Sequence, residues 1–145
     1  MTDTASVPQN LFAVTLGCRD ASRQRSFYEA WGWTIAPFST DEYIAFDLGG
    51  AMVSFYDTAK LAEEAAPGAR LPDGNGWNGL TLAVNVGSRE SVDSTWQAAV
   101  HAGAASIGEP VDRPWGGRSG YVADPEGNRW EIAWVPPMPG TTNEA

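Results

Sequence analysis

The sequence repeats one order of elements, and this repeat limits the folds open to the chain. In residues 11–18, larger apolar side chains alternate with small ones, as in a strand whose two faces meet different surroundings. A helix follows, in which Asp20 can cap the first turn and Gly32 can end the last one. Three short strands are predicted after it, near 33–38, 42–48 and 51–57.

The second half of the chain follows the same order. Residues 79–86 again alternate large with small side chains, Ser88 can cap a helix, and Gly103 can end it. Three more strands are predicted, near 104–111, 118–124 and 129–135. The repeat therefore predicts an α+β fold made of paired βαβββ modules.

The domain organisation follows from this repeat and from the chain length. At 145 residues the chain is predicted to form a single domain, 1–145, which is long enough to bury a core. Within it we expect a first module, a linker with a short helix and a loop, a second module and a mobile tail, with bounds 10–57, 58–77, 78–136 and 137–145.

Charge and composition exclude several classes of function. With 9 Lys+Arg against 18 Asp+Glu, the net charge of −9 argues against a nucleic-acid partner. The single cysteine, Cys18, cannot form an internal disulfide, and no basic segment followed by an apolar run opens the chain, so we expect a cytoplasmic protein without a membrane partner. The acidic charge favours solubility first and a cationic small molecule second.

One motif near the end of the chain resembles a known superfamily. Residues 116–131 read Gly-Gly-Arg-Ser-Gly-Tyr-Val-Ala-Asp-Pro-Glu-Gly-Asn-Arg-Trp-Glu. Together with the paired modules and the segment from Val14 to Tyr28, they resemble the vicinal oxygen chelate superfamily, which includes glyoxalase I, extradiol dioxygenases and bleomycin-binding proteins. The resemblance covers roughly residues 10–136. It implies a curved mixed sheet around a cavity.

The resemblance also implies where a metal ion would bind. In metal-dependent members the ligands come from the opening and closing strands of each half, which places them here at Ala13, Ser54, Thr81 and Glu131. Of these only Glu131 is a strong ligand, and the single histidine, His101, falls near the end of the second helix. We therefore expect neither a metal nor another cofactor.

Strand alternation predicts which side chains line the cavity. A two-residue turn at Gly49 and Gly50 places Ala45 across from Ser54, with Tyr43, Asp47, Met52 and Tyr56 on the same side. A corresponding turn at Glu126 and Gly127 places Val122 across from Glu131, with Arg118, Gly120, Arg129 and Ala133 on the cavity side. A slip of one residue at either turn would invert these assignments.

The predicted ligand-binding residues combine rings, charges and small polar groups: Tyr43, Tyr56, Thr81, Trp115, Arg118 and Glu131. Arg118 could hold an oxyanion, and Glu131 could hold a cation or take a proton in catalysis. The alternative is that Arg118 and Glu131 satisfy each other or backbone groups. Trp115 lies in a glycine-rich loop, where its ring could border the cavity or pack beneath the loop.

The sequence leaves two functions open. The first is a metal-independent small-molecule-binding protein of the bleomycin-resistance type, which would hold an aromatic or cationic organic ligand. The second is an enzyme of the same superfamily, of lyase, isomerase or dioxygenase type, with Glu131 as acid, base or metal ligand. The resemblance implies a homodimer in either case.

Overall fold

A computed structural model describes residues 6–73 and 76–137 of the chain. The elements in chain order are β1 (Ala13–Cys18), α1 (Ala21–Trp31), β2 (Tyr43–Asp47), β3 (Met52–Asp57), α2 (Thr58–Ala65), β4 (Thr81–Asn85), α3 (Arg89–Ala102), β5 (Ala105–Asp112), β6 (Arg118–Ala123) and β7 (Arg129–Trp134). Of the predicted mobile tail, residues 138–145 lie outside the described residues. No helix in the described ranges is long and apolar enough to span a bilayer.

The strands form two mixed sheets, which confirms the predicted α+β class. The first sheet has the order β1-β3-β2, and the second has the order β4-β7-β6-β5. In each sheet the opening strand pairs in parallel with the closing strand, and the remaining pairs are antiparallel. Both halves therefore share the arrangement of three strands, and the second sheet has a fourth strand, β5, without a counterpart in the first.

The prediction of a strand at 33–38 is wrong. This segment is irregular, although Ala36 donates one backbone hydrogen bond to the Ala45 carbonyl at 2.8 Å. Pro37 follows and has no N–H group, so it cannot extend that pairing. Trp33 and Ile35 in the segment instead pack against the core.

Helix boundaries follow the predicted signals. The Asp20 carboxylate accepts a hydrogen bond from the Arg23 N–H at 3.0 Å, and Gly32 ends α1 in the left-handed conformation with φ of 119°. Ser88 caps α3 in the same way. The short helix predicted in the linker is α2, and the Asp57 side chain caps it.

The two halves share one core, in which α1 contacts the closing turn of the second half. The Tyr28 hydroxyl donates to the Asp124 carboxylate at 2.6 Å and accepts a hydrogen bond from the Trp130 indole N–H at 2.8 Å. Gln24 also donates to Asp124, at 2.9 Å. Trp130 is buried in this core, and Trp31, Trp96 and Trp134 are partly buried against it.

The two closing turns differ in length, and this corrects the predicted register of β6. The Leu48 N–H donates to the Ala51 carbonyl at 2.9 Å across a two-residue turn, as predicted. In the second half the Asp124 N–H donates to the Asn128 carbonyl at 2.9 Å, so three residues lie between the closing pair. The extra residue pairs Tyr121 rather than Val122 with Glu131. Because side chains alternate along a strand, the faces of β6 are the reverse of the prediction.

Candidate functional site

Each sheet packs one face against the core and turns the other face away from it. On β4, Leu82 and Val84 pack against the core, whereas Thr81, Ala83 and Asn85 are exposed. We call the outward-facing side chains of the second sheet the second open face, which comprises Thr81, Ala83, Asn85, Ser119, Tyr121, Arg129, Glu131 and Ala133. The floor around Glu131 thus consists mostly of small side chains, as predicted.

The first sheet presents the corresponding surface. On β1, Leu16 and Cys18 are buried in the core, whereas Thr15 on the opposite side is exposed. We call this side the first open face, which comprises Ala13, Thr15, Gly17, Tyr43, Ala45, Asp47, Met52, Ser54 and Tyr56. Ala45 and Ser54 pair across the β2–β3 hairpin as predicted, and both are buried at the centre of this face.

Glu131 lies on β7 between Ala83 of β4 and Tyr121 of β6. Burial raises the pKa of Tyr121, and the adjacent Glu131 carboxylate, which accepts a hydrogen bond from the phenol, raises it further. Tyr121 therefore keeps its proton at neutral pH and can donate it to the carboxylate. The arrangement orients one carboxylate on a partly exposed surface, where it can hold a cation or accept a proton.

Arg113 completes the surroundings of Tyr121, and no pattern in the sequence indicated it as a site residue. Its guanidinium carbon lies 5.8 Å from the centroid of the Tyr121 ring. The side chain is fixed by Ser119, whose hydroxyl accepts from Arg113 Nε at 2.8 Å and whose carbonyl accepts from Nη2 at 3.2 Å. Arg113 opposes the rise in the pKa of Tyr121 through its positive charge. Tyr121 itself would have been found from the sequence with the correct turn length.

Arg118 does not lie beside Glu131, contrary to the prediction. It pairs across β6 and β7 with Trp134 and forms a two-point ion pair with Asp93 of α3, at 3.1 Å and 2.8 Å. A further contact of 3.3 Å joins it to Asp112. The Asp93 carboxylate and then Asp112 raise the pKa of the Arg118 guanidinium. Arg118 is therefore not placed to bind an oxyanion beside Glu131. It also does not pair with Glu131, which was the alternative.

Tyr43 and Tyr56 lie together on the first open face, as predicted. They are opposite one another in β2 and β3, with ring centroids 6.2 Å apart and an interplanar angle of 71°. Phe38 joins them from the preceding irregular segment, with its centroid 6.5 Å from that of Tyr43. Phe38 was not predicted as a site residue, because its segment was expected to form a strand.

Thr81 and Trp115 lie in different parts of the second half, one in a strand and the other in a loop. Thr81 opens β4 and is exposed on the second open face. Trp115 is 51% exposed in the loop between β5 and β6, and its ring packs closely against Gly117. The Trp115 ring therefore packs against its own loop and remains about half exposed to solvent.

The positions at which the superfamily holds a metal do not fit one here. Ala13 has no donor atom, and the Ser54 hydroxyl is buried and bonded to the Thr15 hydroxyl at 2.8 Å. Thr81 offers a neutral oxygen, which leaves Glu131 as the one strong ligand in the set. Across the described residues, no group of three or more His, Cys, Asp or Glu side chains is arranged to hold a metal ion.

Two pockets of the structure are not lined by the predicted ligand-binding residues. One, of about 270 Å³, lies between α2 and the segment after it, and includes Ala62 and Leu71. Another, of about 310 Å³, lies at the start of α1 and includes Cys18 and Lys60. None of the six predicted residues lines either of these two pockets.

Comparison with known proteins identifies the family. The sequence profile of the Glyoxalase/Bleomycin resistance protein/Dioxygenase superfamily matches residues 10–132. The chain therefore belongs to this superfamily, in agreement with the resemblance drawn from its motifs. A search of curated proteins finds no match to the chain.

Solved structures share the fold. A glyoxalase-related enzyme from Fulvimarina pelagi is 29% identical with a TM-score of 0.80, and the alignment covers 95% of this chain and 96% of that one. A glyoxalase/bleomycin resistance protein/dioxygenase family enzyme from Burkholderia phytofirmans PsJN is 22% identical, with a TM-score of 0.74 and coverage of 88% and 99%. A lactoylglutathione lyase from Agrobacterium tumefaciens is 18% identical, with a TM-score of 0.64 and coverage of 88% and 95%. The last two comparisons concern the fold alone.

Proposed function

We propose that the protein is a cytoplasmic, metal-independent member of the superfamily that binds an aromatic or cationic organic ligand on its open faces. Its role would be that of a drug-sequestering protein of the bleomycin-resistance type. The observation that carries the proposal is the donor set at the metal positions: Ala13 has no donor atom, the Ser54 hydroxyl is buried and bonded to Thr15, and Glu131 is the one strong ligand. A site with one strong ligand does not retain a divalent ion against water.

The other groups on the open faces suit a ligand of this class. Glu131 supplies one oriented carboxylate, and Ala83 beside it leaves room for a flat body. Tyr43 and Tyr56 supply aromatic surface on the first open face. The net charge of −9 raises the local concentration of a cationic guest.

A titration followed by tryptophan fluorescence tests the proposal. The purified protein is titrated with bleomycin-type compounds and with aromatic cations of graded size, and a saturable change is expected. Glu131→Gln should weaken binding of the cations by about threefold to tenfold, because one ion pair with a partly exposed carboxylate is lost. Glu64→Gln, on exposed α2, removes the same charge elsewhere and should leave affinity unchanged. The absence of saturable binding across the panel would refute the proposal.

Elemental analysis tests the metal-independent part separately. Protein purified without chelator should contain well under one equivalent of any divalent transition metal. A stoichiometric metal that is retained through dialysis, and is lost in Glu131→Gln, would contradict this part and show that ligands outside the expected set complete the site.

The contact between Tyr121 and Glu131 favours a second candidate, a metal-free enzyme with Glu131 as acid or base. The phenol that donates to the carboxylate would orient it for proton transfer, and Tyr121 could stabilise negative charge that develops on a substrate. Turnover of a panel ligand that is abolished in Glu131→Gln, with its affinity unchanged, would favour this candidate over simple binding.

We also expect the protein to form a homodimer that covers the open faces. The strands β1 and β4 each lie at the edge of a sheet and so have unpaired backbone groups on one side. Large apolar side chains near these edges are exposed, among them Phe12 at 76% and Trp77 at 61%. Sedimentation equilibrium should give twice the chain mass of 15.5 kDa. A single-chain mass at concentrations of tens of micromolar would contradict the dimer.

A further inference from the structure

Three aromatic rings form a corner beside the first open face. We call Phe38, Tyr43 and Tyr56 the aromatic corner. The rings of Phe38 and Tyr43 are close to parallel, at 29°, whereas Tyr56 stands at 71° to Tyr43. The neighbouring centroids are 6.5 Å and 6.2 Å apart. A group placed in the corner can therefore lie within about 6 Å of more than one ring, which is the range of cation–π attraction.

The aromatic corner is separate from the aromatic core. In the core, Tyr28 and Phe55 stack with centroids 5.1 Å apart, and both are fully buried. In the corner, Phe38 is 56% exposed, and the two tyrosines are only partly buried. Packing therefore accounts for the core rings, whereas the corner leaves ring surface in contact with water.

In the part of the chain that the structure describes, no cationic side chain forms a cation–π contact with a ring of the aromatic corner. The two cation–π contacts found there lie elsewhere, with Arg89 at 4.8 Å from Trp134 and Arg113 at 5.8 Å from Tyr121. Lys60 interacts electrostatically with Tyr56, but its ammonium pairs with Glu42 at 2.7 Å. The rings thus remain available to a cation from outside the chain.

Charged groups next to the corner favour such a cation. Asp41 and Glu42 directly precede Tyr43, and Asp57 directly follows Tyr56. These three carboxylates and that of Asp20 line one pocket together with the cationic side chains of Arg19 and Lys60. The excess of negative charge attracts cations to this end of the first sheet.

We propose that the aromatic corner is a subsite for an alkylated ammonium group of the ligand. The inference rests on the proposed ligand-binding function and specifies the chemistry of one end of the guest. Ring faces replace water well around a quaternary ammonium, which has no N–H groups to satisfy. A primary ammonium is strongly hydrated and gains less from the same surface. The corner therefore selects N-methylated cations over primary amines.

Choline and 3,3-dimethylbutan-1-ol are the probes for this subsite, because they have the same shape and differ in charge. Proton NMR follows their methyl signals as the full-length protein is added. Choline methyl signals should shift upfield in a saturable way, since they lie over ring faces. The neutral isostere should bind at least about threefold more weakly, as expected for the loss of one exposed cation–π contact. Ethanolamine should also bind more weakly than choline.

Four variants locate the binding. Phe38→Leu and Tyr43→Leu each remove one ring and should weaken choline binding by about threefold to tenfold. Tyr56→Phe keeps the ring and should retain the affinity. Phe12→Leu removes a ring that is even more exposed than Phe38, at 76% against 56%, near the other end of the sheet, and should have no effect. Because Phe38 lies outside the strands, its replacement leaves the pairing of β2 with β3 intact.

The subsite is refuted if choline and its neutral isostere bind equally, if choline causes no saturable shift, or if Phe12→Leu weakens binding as much as Phe38→Leu. The proposed function fails separately, when no compound of the fluorescence panel binds. Panel binding that depends on Glu131 together with a negative choline result would leave the proposed function standing and would overturn this inference alone.

Discussion

The Tyr28 hydroxyl lies 2.6 Å from the Asp124 carboxylate and joins a helix of the first half of the chain to the closing turn of the second. Both side chains are buried. Burial and then the Asp124 carboxylate raise the pKa of Tyr28 well above its usual value, so the phenol remains a hydrogen-bond donor. The same carboxylate accepts the Glu126 and Asn128 backbone N–H groups, each at 2.9 Å, which shapes the turn.

Replacing this phenol should destabilise the whole fold. In Tyr28→Phe, Asp124 loses a buried donor and the Trp130 indole N–H loses its acceptor, so we expect a loss of about 2–4 kcal/mol in the free energy of unfolding. Urea denaturation measures the change. Tyr43→Phe removes a partly exposed phenolic hydroxyl and should change the stability by less than about 0.5 kcal/mol. Similar losses in the two variants would show that Tyr28 does not join the halves.

The buried cysteine should make stability fall at alkaline pH. Burial, with smaller contributions from nearby carboxylates, raises the pKa of Cys18 from 9.0 to about 11. The folded state therefore favours the protonated thiol, and this contribution is present below pH 9 and is lost as the pH rises toward 11. A shift of this size corresponds to about 2–3 kcal/mol.

Urea midpoints measured between pH 8 and pH 11 for the wild type and Cys18→Ala isolate that contribution. Other groups titrate in both proteins, so the difference between the two curves reports the thiol. The wild type should lose more stability over this range than the variant. Parallel curves would mean that the thiol titrates alike in the folded and unfolded chains.

The two arginines near the second sheet should affect ligand binding differently. Arg118 is paired with Asp93 on the helix side, so Arg118→Met should leave the affinity for a cationic ligand unchanged and lower stability slightly. Arg113 lies against the Tyr121 ring beside Glu131, so Arg113→Met should strengthen cation binding by about twofold to fivefold, because a like charge is removed. The fluorescence titration measures both. A loss of affinity in Arg118→Met alone would show that Arg118 contributes to ligand binding after all.

Gly117 should not tolerate a side chain. A Cβ atom there would overlap both the Trp115 ring and the Trp134 carbonyl, and the carbonyl belongs to the backbone and cannot rotate away. Gly117→Ala should therefore cost about 1–3 kcal/mol of stability and alter the fluorescence of Trp115. Gly108→Ala, which meets nothing within 4 Å and has no positive φ, is the matched control. Equal effects would mean that the loop moves aside freely.

The first half shows both the reach and the limits of prediction from sequence. Gly49 and Gly50 define a two-residue turn, and strand alternation then places Tyr43 opposite Tyr56, as the structure has them. Phe38 could not be placed in this way, because its position depends on an irregular segment that ends its pairing at Pro37. Hydrophobic periodicity predicts helices and strands, but it does not predict the path of an irregular segment.

The second half shows how one residue in a turn changes a site. The sequence identified Glu131 and the strand that carries it, but the Asp124–Asn128 turn has three residues inside its closing pair rather than two. That single residue moves Tyr121 to the side of Glu131 and Arg118 to the side of α3. Because the turn was assumed to contain two residues, every side chain of β6 was predicted on the opposite face from the one it occupies.

The sequence by itself determined the order of elements apart from the strand expected at 33–38, the helix caps, the superfamily and the lack of strong ligands at Ala13, Ser54 and Thr81. These follow from local periodicity, from short-range hydrogen bonding and from residue identity. Tertiary structure alone decided which groups surround Glu131 and which ring joins Tyr43 and Tyr56. The length of the second turn and the path of the segment before β2 depend on packing between distant segments, here of α1 and α3 against the sheets, and local patterns did not predict them.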